Sequence, residues 1–328
     1  MSEIWEVYRV PGVASGYRVV LDESSLALHE MERRDIDTVF QLLADLLTPL
    51  SRGSRVALMN HVYDTECWES VRFAEVCGSP IPEVDRDTRV RLASVLDKCV
   101  HLEPEEEDLP RIVEGGGFKA ECSFGMAHAI RCVKDGSATG ALALPSISDS
   151  WPEGWTKLRV DDQEVELHRM SSIPSLHEFL RGICVRDPIT ESDFFAAAAE
   201  AFPLLMFAEG LDFRRFRGSY VDVLPWVVSL LGTVNDHFAE SLDRNRGDRN
   251  GVMSDFSAVG LTISPESPQT RRNRAAWNER FVSYRGVKYL CEWHGKRTPI
   301  VDRVHFSLPI EAYGDKILVG LFVDHLPT

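Results

Sequence analysis

No stretch of the 328 residues approaches the roughly 18 to 20 consecutive apolar residues that a bilayer-spanning helix needs, so no membrane association is expected. Residues 1–6 have neither the basic nor the apolar segment of a secretory signal, and a cytoplasmic location is expected. Cysteine is sparse: the seven (67, 77, 99, 122, 132, 184 and 291) are odd in number and never form C-x-x-C. That argues against a disulfide framework and against a cysteine-held zinc. A P-loop, G-x-G-x-x-G, G-x-S-x-G and H-E-x-x-H are all missing, which removes the best-marked nucleotide-dependent and hydrolytic classes. No cofactor is expected.

Positive charge is also short overall. The net charge of −15 makes the chain as a whole a poor polyanion binder, because like charges repel. The deficit is uneven. Residues 267–328 carry ten Lys/Arg against six Asp/Glu, a net +4, which leaves −19 on the rest. An acidic body, suited to a basic protein partner, therefore bears a mildly basic end.

What is present reads as a mixed α/β (α+β) protein in three parts. Residues 1–117 form an acidic α/β region. Strand patterns at 4–10 and 17–21 flank turn residues and suggest a hairpin. Val39, Leu42, Leu43, Leu46 and Leu47 have helical spacing behind Asp35-Ile36-Asp37, with Pro49 as a stop. Residues 56–59 read as a buried strand, and 67–76 and 87–100 as helices. An acidic run at 103–108 and the three glycines at 115–117 mark a boundary. Residues 118–250 form a mixed region with long helices. It holds a helix at 124–133 with His128 as a core residue, strands at 141–144, 158–160 and 165–170, a helix at 194–201 capped by Thr190, and a long helix through Leu224, Val227, Leu231, Phe238 and Leu242. Residues 243–251, without an apolar side chain, predict a solvated loop.

Residues 251–328 hold the chemistry. A short basic helix at 271–281 with Trp277 and Phe281 inward is followed by three strands near 291–294, 302–306 and 316–326, most economically an antiparallel meander. Strand side chains alternate between faces, so Glu292 shares a face with His294, and Arg303 with His305. If those faces coincide they form one patch, with Lys296, Arg297 and His325 at its rim. Histidine titrates near neutrality and suits both proton transfers of RNA cleavage by the 2′-hydroxyl, while arginine suits phosphate. Glu292, His294, Arg303, His305 and His325 are the candidate catalytic residues. Arg271, Arg272, Lys296 and Arg297 are the candidate nucleic-acid contacts, with Trp293 or Tyr289 stacking on a base.

The order of basic helix, strand, Arg303-Val304-His305-Phe306 strand and apolar strand ending at His325 resembles the C-terminal sheet of RelE/HigB-type toxins, ribosome-dependent mRNA endonucleases. The resemblance covers about the last fifth of the chain. It implies phosphate binding by Arg303, proton shuttling by His325, and RNA or the ribosome as partner. The passage from Glu292-Trp293-His294 to His325-Leu326-Pro327 also resembles uncharacterised bacterial proteins, some linked to phage defence.

Two other classes fit the same residues. His294, His305 and His325 have the chemistry of a three-histidine zinc site in a hydrolase. Alternatively the region is a noncatalytic interaction subunit, with Glu292–Arg303 and Arg297–Asp302 as surface ion pairs.

Overall fold

The computed structural model describes residues 18–50, 55–103, 110, 112–115, 118–145, 151–160, 162–186 and 189–326. It is a mixed α+β protein in two compact units, Met1–Asp187 and Pro188–Thr328. The boundaries expected near 117 and 250 fall inside these units. Residues 112–115 and 118–121 pair as one hairpin of the first unit's sheet, and residues 220–244 and 249–258 are consecutive helices of the second.

The first unit runs β1 (Arg18–Leu21), α1 (Ile36–Leu50), β2 (Val56–Met59), the short pair β3 (Glu66–Trp68) and β4 (Val71–Arg72), α2 (Phe73–Gly78), α3 (Arg86–Leu96) and β5 (Val100–Leu102). It continues with β6 (Ile112–Gly115), β7 (Phe118–Glu121), α4 (Phe124–Lys134), β8 (Thr139–Leu142), β9 (Gly154–Val160), β10 (Gln163–Met170) and α5 (Ile173–Arg186). Its eight-stranded sheet has the order β5-β2-β1-β8-β10-β9-β6-β7, the first five parallel. In chain order those five read third, second, first, fourth, fifth, which is doubly wound, with the switch point between β1 and β8. Both faces are covered. Val20, Ala57 and Ala141 pack under α4, while a Cβ on Gly140 would meet Phe179 of α5 from the other side. This is why β1 and β2 read as unbroken apolar runs rather than alternating ones.

Two expectations change here. Residues 18–21 pair in parallel with β2 and β8 in the middle of the sheet, and the partner expected at 4–10 lies outside the described residues. Cys67 and Trp68 lie in a strand rather than a helix, and buried they read as an apolar helical face.

The second unit runs α6 (Glu191–Ala201), β11 (Leu205–Phe207), α7 (Tyr220–Arg244), α8 (Arg249–Ala258), β12 (Thr262–Pro265), α9 (Pro268–Arg272), α10 (Arg274–Asn278), β13 (Phe281–Tyr284), β14 (Val287–Leu290), β15 (Trp293–Lys296), β16 (Arg303–Ile310) and β17 (Lys316–Val323). The expected meander β15-β16-β17 is there, widened to five strands in the order β11-β17-β16-β15-β12. β11 joins in parallel and β12 antiparallel. The 25-residue α7 lies on one face of this sheet. Phe238 meets Trp293 and Phe306 edge-on at ring separations of 5.3 and 5.0 Å, and a Cβ on Gly295 would come within 2.2 Å of Leu230. Pro225 sits inside α7, in its second turn, and cannot donate to the carbonyl of Val221. Val221 is 70% exposed, so water can take that place.

The predicted loop at 243–251 is shorter than expected. α8 begins at Arg249, and the turn is made by Arg246 and Gly247 at φ of 52° and 76°. The predicted basic helix is two short ones broken at Asn273, whose side chain caps the second, and Phe281 is exposed rather than inward.

Candidate functional site

The face of the second sheet opposite α7 is set by register. His294 lies directly across from His305 and Lys296 across from Arg303, while on the other side Ser264 faces His294. Directly opposed residues of an antiparallel pair share a face, so the parity argument holds for His294, Lys296, Arg303 and His305. The backbone N–H of Glu266, just past β12, donates to Glu292 O at 2.8 Å and carries the ladder one step further.

Four side chains meet in the inner row: Glu266, Arg280, His294 and His305, each no more than 5% exposed. Glu266 Oε1 accepts from Arg280 Nε at 3.0 Å, and Arg280 Nη1 donates to Ala276 O at 2.6 Å. The same Oε1 lies 3.6 Å from His294 Nδ1 and 3.5 Å from His305 Nδ1, and neither contact is a hydrogen bond. The two rings are 4.9 Å apart, and His294 Nε2 lies 3.3 Å from Ser264 Oγ. Both nitrogens of His305 are buried without a hydrogen bond of good geometry, and the nearby Cys291 backbone only weakly favours its protonated form. Burial, with the nearby His305 and the Lys296 and Arg303 cations, drives the His294 pKa far down. Burial, with Arg280 and Arg303, pushes His305 down to about 3. Both imidazoles are therefore neutral near pH 7. They have no proton to give as imidazolium, and no substrate touches a ring that is 1% exposed.

The outer row is different. Lys296 and Arg303 are half-buried, and no carboxylate lies within ion-pair distance of either among the described residues. The Lys296 pKa is lowered by burial and then by Arg303. Arg303 is lowered by burial and by Arg280, against the pull of Glu266 and Asp324. These two cations stand beside one another without a counter-charge in contact.

The remaining predicted residues do not join this cluster. Glu292 is in the ion pairs of Arg271 at 2.6 Å and Arg249 at 3.7 Å rather than in one with Arg303, and it stands apart from the His294–His305 cluster. Arg297 pairs with Asp302 at 3.2 Å, but Asp302 is buried, so the pair is not the surface ion pair expected. Asp302 sits at φ 55° and also accepts from the backbone of Arg217. Arg272 is exposed. His325 is exposed and lies two residues beyond the end of β17, outside the His294–His305 cluster. The three-histidine set is thus not assembled, and a carboxylate, Glu266, stands with the other two. Trp293 packs on Phe238 in the core and cannot stack on a base, whereas Tyr289 is half-buried beside Tyr313, itself flanked by Arg285.

Glu266 and Arg280 escaped the sequence reading. Thr262, Ser264 and Glu266 alternate with the buried Ile263 over β12 and just beyond it, a period-two signal obscured by Pro265 and Pro268.

At the switch point of the first unit, Glu23 accepts from the N–H groups of Phe124 at 2.7 Å and Gly125 at 2.9 Å, and Ser123 caps Met126 N at 3.0 Å. The N-terminus of α4 is thus occupied by an internal carboxylate, which fills the place a phosphate would take.

No protein-family model, no curated protein and no solved structure matches this chain.

Proposed function

We propose that the C-terminal unit binds RNA through its phosphates, with Lys296 and Arg303 as the central contacts. The observation that carries this is the cross-strand Lys296–Arg303 pair, two adjacent half-buried cations with no carboxylate in contact among the described residues. Such a pair is destabilising on its own and is relieved by an anion that accepts from both. Arg272 is a further exposed cation of the same unit, and Tyr289, Tyr313 and Arg285 supply aromatic and cationic groups of the kind that stack with bases. The resemblance to RelE/HigB-type toxins points to the same ligand class. Cleavage by His294 and His305 is not part of the proposal, because both are buried and neutral.

The test is fluorescence anisotropy of labelled single-stranded RNA with the full chain across a salt series. Lys296→Ala/Arg303→Ala is expected to weaken binding and to reduce the salt slope by about 1.4, two contacts at roughly 0.7 each. Equal affinity and slope in the double variant would exclude these residues as the site.

The charge distribution favours a second reading for the other unit: residues 1–187 carry 20 Lys/Arg against 33 Asp/Glu. That surplus suits a basic protein partner, testable by whether association with a basic protein is lost when salt is raised.

A further inference from the structure

We infer that Glu266, His294 and His305 form a binding site for a divalent transition metal of the zinc class, apart from the anion contacts of Lys296 and Arg303. Three potential ligands converge: one ligand atom each from Glu266, His294 and His305 lie within 4.8 Å of one another, and Glu266 Oε1 is 3.6 Å from His294 Nδ1 and 3.5 Å from His305 Nδ1. Zinc bonds of about 2.0–2.1 Å at tetrahedral angles put neighbouring ligand atoms about 3.3–3.4 Å apart. The two carboxylate-to-imidazole distances are therefore within about 0.3 Å of that spacing, and the rings close on the ion as it binds.

Glu266 Oε1 is shared with Arg280, but the two imidazole nitrogens beside it, His294 Nδ1 and His305 Nδ1, are buried without a hydrogen bond of good geometry, and the contacts to Glu266 are too long to serve. Orphaned buried polar atoms are costly, and a bound metal satisfies both at once. The surrounding groups match the support that ligands of a metal usually have. Ser264 Oγ at 3.3 Å from His294 Nε2 holds that ring with Nδ1 inward, and Arg280 Nε at 3.0 Å fixes the carboxylate.

Arg280 also limits which ion is accepted. A dication enters beside a guanidinium that already shares its carboxylate, so weakly held hard ions are disfavoured. Calcium and magnesium further want six or more oxygens, which this set does not offer. Two imidazoles and one carboxylate suit zinc, and cobalt as its spectroscopic stand-in. Since all three ligands are no more than 5% exposed, the metal would brace β12, β15 and β16 rather than activate a water for an outside substrate.

The experiment refolds the full chain from denaturant with EDTA, then with Co²⁺ or Zn²⁺ after the chelator is removed. The expected result is one metal per chain, a tetrahedral cobalt absorption spectrum and a raised melting temperature, all lost in Glu266→Gln and His305→Gln and kept in Cys291→Ser. Should the variants fail to fold, X-ray absorption on zinc-loaded wild type decides: two imidazoles with oxygen and no sulfur support the site. Absence of stoichiometric metal in refolded wild type, sulfur ligation, or equal loading of a folded His305→Gln variant overturns it.

Discussion

His294 and His305 face each other across β15 and β16 with their rings 4.9 Å apart and tilted by 34°, and the carboxylate beside them, Glu266, is already bound by Arg280. Two neutral rings, an ion pair and a dry setting make this a place of high electrostatic stakes in which each group depends on the next.

Glu266→Gln would strand the guanidinium of Arg280, which is 1% exposed. Breaking a buried pair from one side costs about 3–5 kcal/mol, whereas replacing both members with apolar groups is often near neutral. The single variant is therefore expected to lose most of the second unit's stability and Glu266→Met/Arg280→Met to regain much of it. Denaturant melts, with amide exchange across β15 and β16 to assign the transition, check this. A double variant as unstable as the single one would show that the cost lies in packing rather than in the unpaired charge.

The other face of the same sheet makes a steric prediction. A Cβ at Gly295 would lie 2.2 Å from Leu230 Cδ2, so Gly295→Ala is expected to cost about 1–3 kcal/mol by overpacking. Leu230 is fully buried, and Leu230→Ala alone is expected to cost about 2–5 kcal/mol through the cavity it leaves. Combined, the two should cost clearly less than their sum, because the added methyl occupies part of the vacated space. Strict additivity in a double-mutant cycle would rule out the contact.

The sequence reading succeeded where one local pattern decides the structure. The apolar series of α7, the start of α6 after Thr190 and the alternating faces of β15 and β16 each follow from side chains close in sequence, and the register sets His294 opposite His305, while Lys296, expected at the rim, stands opposite Arg303 and Glu292 turns to Arg271. It failed where a distant partner decides. Whether His305 faces water depends on Glu266 and Arg280, 39 and 25 residues away, and His325 is detached by where β17 ends. Burial is a property of what covers a strand, and strand parity is silent on it. The same limit hid the central position of β1, whose partner Thr139–Leu142 lies more than a hundred residues on.

In the first unit, Glu23 serves as the internal anion of α4. Glu23→Ala leaves the buried N–H of Gly125 without its acceptor, and the N–H of Phe124 beside it, at a cost of about 1–3 kcal/mol. Glu23→Gln keeps an oxygen for one of the two and should lose less. Thermal melts of the three proteins check the order wild type, Gln, Ala. A Gln variant as unstable as Ala would mean that the charge at the helix end matters more than the hydrogen bonds.

His168 supplies the pH dependence. It is fully buried between Trp155 at 4.9 Å and Phe179 at 5.5 Å, with neither ring nitrogen hydrogen-bonded. Burial lowers its pKa to about 4, with Glu153 opposing and Arg186 assisting, and Glu178 Oε2 stands 3.8 Å from Nε2. The folded form thus holds this ring neutral while the unfolded chain protonates it near pH 6.5, so the unfolded state binds more protons between those values. Its contribution is intact above pH 6.5 and is lost as pH falls toward 4, by on the order of 3 kcal/mol at the lower end. His168→Phe removes the proton-binding group, so the denaturant midpoints of wild type and variant should diverge in the variant's favour between pH 7.5 and pH 5. Because His294 and His305 titrate alike in both proteins, the difference isolates His168, and midpoints that stay parallel over that range would sink the assignment.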